Sequence, residues 1–203
     1  MKLIAFCVLG LALLLFAVVL EAATFDPPTR YRGIPWGTPM QIVRQRLKER
    51  YGEFTGMVVR KGVGEYACDL STPTTAKCME DFPFWDAKML WSPELSGADP
   101  TLEGVKISAN TVGGANNYPQ VRAAFLARYG KTDRITSETY RNKLGQAVQG
   151  EILIWETEDI LIQLQEHCDW IGKSCGEILT KRYLRLWKEL ETERARQRGR
   201  ALP

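Results

Sequence analysis

The pattern of hydrophobic and polar positions predicts two helices of similar design. The first is expected to begin after Thr38, with Pro39 at its first position, and to end at Gly52, and the second to begin after Asn117 and to end at Gly130. Each has a capping residue followed by a proline in its first turn, and each ends at a glycine, which tolerates a left-handed conformation. These features are typical of two complete, well-delimited helices.

The two helices also share sequence at fixed offsets, which predicts an internal repeat. The first copy contains Val43-Arg44, Leu47 and Arg50-Tyr51-Gly52. The second copy, 78 residues further on, contains Val121-Arg122, Phe125 and Arg128-Tyr129-Gly130.

Short segments of alternating or continuous apolar character follow each helix and predict antiparallel strands. The expected strands span 56–61, 65–70, 84–91 and 102–109 in the first half, and 134–141, 146–155 and 160–166 in the second. A turn is expected at 62–64, and the segment 110–117, rich in glycine and asparagine, is expected to connect the halves. The prediction is therefore an α+β protein with two tandem helix-plus-sheet halves, 24–111 and 112–203, forming one compact body with seven or eight strands.

The chain is predicted to end in an amphipathic helix from Cys175 or Gly176 to Arg196. Its apolar stripe is formed by Leu179, Tyr183, Leu186 or Trp187, and Leu190. Residues 181–200 carry eight basic and three acidic side chains, as expected of a solvated helix.

The N-terminus has the pattern of a secretory signal at residues 1–23. A lysine at position 2 precedes an apolar stretch at 3–20, and Glu21-Ala22-Ala23 follows. The prediction is an exported protein, periplasmic or extracellular. In the alternative, residues 3–20 remain as an uncleaved anchor in the inner membrane, because this stretch just reaches the length of a membrane-spanning helix. Contact with a membrane is expected only in that second case.

Four cysteines remain after cleavage, and in an exported chain an even number predicts disulfides. Three pairings are compatible with the sequence. The short spacings favour Cys68 with Cys78 and Cys168 with Cys175. The formal net charge of +3 is too small to predict a nucleic-acid partner.

Two segments carry a resemblance to other proteins, Gly33-Ile34-Pro35-Trp36-Gly37-Thr38-Pro39 and Gly150-Glu151-Ile152-Leu153-Ile154-Trp155. With the Arg-Tyr-Gly helix ends, they resemble a group of uncharacterised bacterial exported proteins. The tandem plan is also similar, in architecture only, to beta-lactamase inhibitory proteins and to small outer-membrane assembly lipoproteins, which bind other proteins through an exposed sheet face. The resemblance implies a compartment and a fold but no reaction, and the lipoprotein cysteine is missing here.

Motifs of catalysis are absent from the sequence, which favours a non-enzymatic protein. Neither a Gly-x-Ser-x-Gly elbow nor a phosphate-binding glycine loop is present. The single histidine, His167, adjoins Cys168, but the spacing of the cysteines does not match a zinc site. No metal and no cofactor are therefore predicted. A glycan-cleaving pair formed by Glu80 or Asp81 with Asp86 is the catalytic alternative.

Tryptophans supply the candidate binding residues. Trp155 and Trp187 lie on apolar stripes and are predicted to be core, whereas Trp85, Trp91 and Trp170 are predicted contact residues, because exposed indoles anchor protein interfaces. The favoured function is a non-enzymatic envelope protein that binds another envelope protein or a peptide. The alternatives are a hydrolase of cell-wall glycan or peptide and a carrier of a small ligand.

Overall fold

A computed structural model describes ten stretches of the chain. They are residues 25–51, 68–70, 72, 74–80, 84, 86–93, 99–109, 117–141, 145–168 and 171–200. The predicted signal segment, the strand at 56–61, the turn at 62–64 and all but the last residue of the connector at 110–117 lie outside these stretches.

The described chain contains three helices and ten strands, which confirms the predicted α+β class. A small hairpin, β1 (Arg30–Tyr31) and β2 (Ile34–Pro35), precedes the first helix. The first half continues with α1 (Met40–Tyr51), β3 (Cys68–Asp69), β4 (Lys77–Met79), β5 (Asp86–Trp91) and β6 (Leu102–Ala109). The second half contains α2 (Tyr118–Tyr129), β7 (Arg134–Arg141), β8 (Ala147–Glu156), β9 (Ile160–Gln165), β10 (Ser174–Thr180) and α3 (Lys181–Arg200).

Eight of the strands form one antiparallel sheet in the order β3-β4-β5-β6-β10-β9-β8-β7. Each helix is thus followed by a meander of four strands, and the last strands of the two meanders, β6 and β10, pair at the centre. Their register places Ser174 opposite Ala109 and Leu179 opposite Gly104. This seam joins the two halves into a single sheet.

Both α1 and α2 pack on the same face of this sheet, because each carries apolar side chains at helical spacing. On α2, Val121, Phe125 and Tyr129 pack around Trp155 of β8. On α1, Val43 and Leu47 pack with Met89 and with the Cys68–Cys78 disulfide. Tyr31 and Trp36 of the N-terminal segment contact both groups of core residues and thus link the two halves.

The predicted start of the C-terminal helix was wrong by about one and a half turns. Residues Ser174–Thr180 form β10, a central strand, and α3 begins only at Lys181 and continues to Arg200. All but one residue of β10 are buried, although Ser174, Glu177 and Thr180 are polar, so the segment shows neither the alternation of a half-exposed strand nor a continuous apolar run. Leu179, the predicted first position of the helix stripe, belongs to this strand.

Most other strand boundaries agree with the sequence pattern. The predictions at 102–109 and 134–141 are confirmed to the residue, those at 84–91, 146–155 and 160–166 differ by one or two residues, and β4 was not predicted. Of the caps, Gly130 ends α2 with φ of +73° as expected. Thr38 does not cap α1 but donates its hydroxyl to the Pro35 carbonyl at 2.8 Å, and Asn117 makes no side-chain capping bond.

The two disulfides are those that the spacing favoured, Cys68–Cys78 and Cys168–Cys175. The first joins β3 to β4, and the second ties the loop after β9 to β10. Two disulfides fit the oxidising environment of an exported protein. Among the helices that the structure describes, none is both long and apolar enough to cross a membrane.

Candidate functional site

The face of the sheet opposite α1 and α2 is the candidate site, and we call it the outer face. Along each strand, residues that alternate with the buried core positions point to this face. Lys88 alternates with the buried Ala87 and Met89, and Glu177 precedes the buried Ile178. The outer face is therefore a broad surface of several strands, uncovered by the two helices that build the core.

Three lysines stand directly opposite one another on adjacent strands of the outer face. Lys77 on β4 lies opposite Lys88 on β5, and Lys88 lies opposite Lys106 on β6. We call these three residues the lysine row. Directly opposite side chains are about 5 Å apart at Cβ, and like charges in such pairs are destabilising. Stability alone would not favour this arrangement.

Acidic neighbours partly neutralise the charges of Lys77 and Lys106, the two ends of the lysine row. Lys77 Nζ lies 2.7 Å from Asp86 Oδ2, and Lys106 Nζ lies 3.6 Å from Glu177 Oε1. Glu177 in turn accepts a hydrogen bond of 2.6 Å from Gln163 Nε2 on β9. Lys88, between the two pairs, is exposed to solvent. It is the cation best placed to meet a partner.

Beyond the lysine row, the outer face becomes neutral and partly apolar. Glu177 is followed across the sheet by Gln163 and Ile154, and the next row contains Gln165 and Ile152. We call these four neutral residues the central patch. All four are half-buried, and no side chain of α1 or α2 lies on their side of the sheet. A partly apolar centre beside a charged rim is a common arrangement in protein interfaces.

A buried carboxylate fixes the beginning of α3 to the central seam. Glu103 of β6 is 1% exposed and accepts hydroxyl hydrogen bonds from Thr101 at 2.7 Å and from Thr180 at 2.6 Å. Arg182, in the first turn of α3, lies 3.2 Å from Glu103 Oε1. Beyond this anchor, α3 contacts β10 and β6 and then extends outward, with every described side chain after Leu190 exposed.

Replacing Arg182 by alanine is expected to lower the free energy of unfolding by about 2 kcal/mol. The loss is smaller than that for a fully buried ion pair, because the Arg182 side chain is half-exposed. The melting temperature should fall by about 5 °C. The comparison is with Arg185→Ala, one turn along the same helix and exposed. Equal melting temperatures for the two variants would show that Arg182 does not neutralise Glu103.

Of the three predicted contact tryptophans, the structure describes only Trp91. It lies opposite Leu102, packs against the α1 core, and its indole N–H donates to the Thr74 carbonyl at 3.0 Å. Trp91 therefore belongs to the helix side of the sheet and not to the outer face. Trp85 and Trp170 lie outside the described residues, and their binding role stays a prediction.

Glu80 and Asp86, two carboxylates of the catalytic alternative, lie on opposite faces of the sheet. Glu80 lies on the helix side, where it accepts hydrogen bonds from Tyr31 and from Arg32, the latter at 3.0 Å. Burial, followed by the charge of Glu80, raises the pKa of Tyr31 well above its ordinary value. Asp86 points to the outer face and pairs with Lys77, while Asp81 lies outside the described residues. Glu80 and Asp86 therefore do not face each other across one cleft.

His167 is held as part of the packing around the second disulfide. It is 4% exposed, and its ring meets the Tyr140 ring edge to face at 5.5 Å between centroids. Burial raises the pKa of Tyr140 to about 12. The adjacent Cys168 is bonded to Cys175, so its sulfur is not a free thiolate. Across the described part of the chain, no group of three or more His, Cys, Asp or Glu residues is arranged to hold a metal ion.

A polar cluster on the helix side joins α2 to β8. Glu151 accepts hydrogen bonds from the Tyr118 hydroxyl at 2.6 Å and from Arg122 Nε at 2.9 Å. Partial burial raises the pKa of Glu151, but these two donors outweigh it and the net shift is downward. Burial and the bond to Glu151 raise the pKa of Tyr118, so its hydroxyl stays protonated. The cluster fixes the helix on the sheet.

Comparison with known proteins gave no relative. No protein-family model matches the chain, and neither the curated proteins nor the solved structures contain a match.

Proposed function

We propose that this chain is a non-enzymatic envelope protein that binds an acidic segment of another envelope protein through its outer face. The observation that carries the proposal is the lysine row, in which Lys77, Lys88 and Lys106 are directly opposite one another. The two disulfides support an exported location. The strand order agrees with the tandem plan for which the resemblance implied an exposed binding sheet.

The lysine row is electrostatically unfavourable in the free protein, and an acidic partner would relieve the repulsion. Three like charges in register repel one another, and the two acidic neighbours, Asp86 and Glu177, form their ion pairs with Lys77 and Lys106. Carboxylates of a partner that bind next to Lys88 would replace the repulsion between the lysines by attraction. Complementary charge also accelerates association and selects against basic partners.

The central patch supplies the apolar part of the same interface. Ile152 and Ile154 lie on one face of β8, flanked by Gln163 and Gln165 of β9. Burying such side chains stabilises a complex, whereas the glutamines can exchange hydrogen bonds with the partner's backbone. The partner expected from this chemistry combines one or two apolar side chains with a neighbouring run of aspartates or glutamates.

The test uses a fluorescently labelled deca-glutamate peptide as the probe, with fluorescence anisotropy at low ionic strength. The wild-type protein is expected to bind it, and Lys88→Glu to weaken binding by about tenfold through lost attraction and added repulsion. The triple variant K77E/K88E/K106E should abolish binding. Its matched control, R194E/R196E/R198E, changes the net charge by the same amount on the exposed end of α3.

The comparison of the two triple variants decides the outcome. Unchanged binding by the α3 control, with loss in the lysine-row variant, supports the outer face as the site. Equal losses in both would mean that the peptide responds only to net charge, and would refute the proposal. Far-UV circular dichroism and melting curves establish that each variant is folded, and Lys88→Glu, at an exposed position, provides the test if the triple variant is not.

A further inference from the structure

A second exposed surface, separate from the lysine row, is the edge strand β7. Among the strands that the structure describes, β7 is the last of the sheet on the side of the second half. Seven of its eight residues are exposed and the eighth, Tyr140, is half-buried. On the helix side, β7 is covered by neither α1 nor α2. On the outer face, its side chains other than that of Tyr140 are also exposed.

This edge has the properties of a strand that can accept another strand. Its eight residues pair with β8 without a register shift, and it contains neither proline nor glycine. It also carries Ile135, at 54% the most exposed large hydrophobic side chain in the described chain. Natural sheets usually protect a long, regular edge, because its unpaired backbone groups invite further pairing. The charged residues of β7 therefore decide which strand it accepts.

We infer that β7 pairs with β7 of a second copy of this chain, antiparallel and around a two-fold axis. Such an axis is perpendicular to the sheet, so the outer faces of the two copies remain on the same side. Opposite residues must then both belong to the outer face or both to the helix side. This condition leaves only registers centred on a residue.

The register centred on Thr136 is the one that matches charges. It places Arg134 of each copy opposite Glu138 of the other, which forms two ion pairs on the outer face, and it places Ile135 opposite Ser137. The register centred on Glu138 would instead place two glutamates opposite each other. Arg134 is free to turn toward the partner, because its contact with Glu156 is long, at 3.8 Å, and Glu156 is also bound by Lys181.

The dimer would extend the sheet without interruption and present two lysine rows and two central patches on one side. It is a prediction separate from the proposed function, because β7 and the lysine row are at different places in the sheet. A contact between two single strands buries less surface than the lower limit of a standard interface, about 1,200 Å². A dissociation constant in the micromolar range is therefore expected.

The test is sedimentation velocity over a range of concentrations, with single and double charge exchanges. Wild-type protein is expected to shift from monomer to dimer as its concentration rises. Glu138→Arg and Arg134→Glu each put like charges in both pairs and should raise the dissociation constant at least about tenfold. The double variant R134E/E138R restores both pairs and should dimerise like the wild type. Lys88→Glu, which impairs the proposed binding site, should leave the dimer unchanged.

Two results would overturn the inference. A wild-type protein that is monomeric at all accessible concentrations has no such dimer. A dimer that persists in both single variants, or that the double exchange fails to restore, uses another surface or another register. Melting curves of the single variants establish that loss of the dimer is not loss of the fold.

Discussion

Replacing Trp155 by alanine is expected to lower the free energy of unfolding by about 4 kcal/mol, at the upper end for a core truncation. Trp155 is 0% exposed, and its ring lies 6.0 Å from the ring centroids of both Phe125 and Tyr129 on α2. Its indole N–H donates to the Gly130 carbonyl at 3.1 Å, just where α2 ends. The substitution thus removes packing, opens a cavity and leaves a partly buried carbonyl without its donor.

The measurement is urea unfolding followed by far-UV circular dichroism, which does not depend on tryptophan fluorescence. Trp187→Ala is the matched control, since Trp187 is only half-buried on α3 and pairs with the Tyr183 ring. Its effect should be less than half as large. If the two variants were equally stable, Trp155 would not be the centre of the core that α2 forms with β8.

Replacing Gly176 by alanine is expected to lower the free energy of unfolding by about 3 kcal/mol through overpacking at the central seam. A Cβ atom at this position would lie 2.2 Å from Cζ of the Phe125 ring. The ring has nowhere to move, because it is itself buried and packs edge to face against Phe84 and Tyr129. Glycine in a strand interior often marks such a close approach.

Gly199→Ala is the control for this second prediction. Gly199 lies on the exposed end of α3, and apart from its chain neighbours and the backbone of its own helix no atom lies within 4 Å of the added Cβ. The substitution should therefore stabilise the helix by up to about 1 kcal/mol. Adding Phe125→Leu to Gly176→Ala should recover part of the loss, because the smaller side chain vacates the space. If Gly176→Ala melted with the wild type, α2 would not pack on β10 as closely as described.

Much of the fold could be predicted from local sequence. The strands of the large sheet that were not predicted, β4 and β10, show no clear periodicity. Helices α1 and α2 could be predicted because buried apolar residues recur at helical spacing, and β6 and β7 because runs of strand-forming residues lie between turn residues. Strand β10 lacks such a pattern, because Ser174, Glu177 and Thr180 interrupt its apolar residues although nearly the whole strand is buried, and Gly176 and Leu179 then resemble the start of a helix. Strand β4 is three residues long, too short for any period to be visible.

The candidate site was harder to predict, because it depends on the pairing of distant strands. Lys77, Lys88 and Lys106 each alternate with apolar neighbours, which could have indicated a solvent-facing position. That they stand opposite one another depends on the registers of β4, β5 and β6, which no local pattern determines. The prediction for the tryptophans rests on residue type alone, which does not determine the face of a strand, and Trp91 packs on the helix side with the core residues of α1.

The most direct test of the proposed function is a ¹⁵N–¹H correlation spectrum of the labelled protein titrated with the deca-glutamate peptide. Our account predicts that the largest shift changes occur along the row from Lys77 through Lys88, Lys106 and Glu177 to Gln163. The amides of α1, and of α3 beyond Leu190, should be nearly unchanged. Changes confined to the basic end of α3, or spread evenly over the surface, would contradict the assignment of the outer face as the binding site.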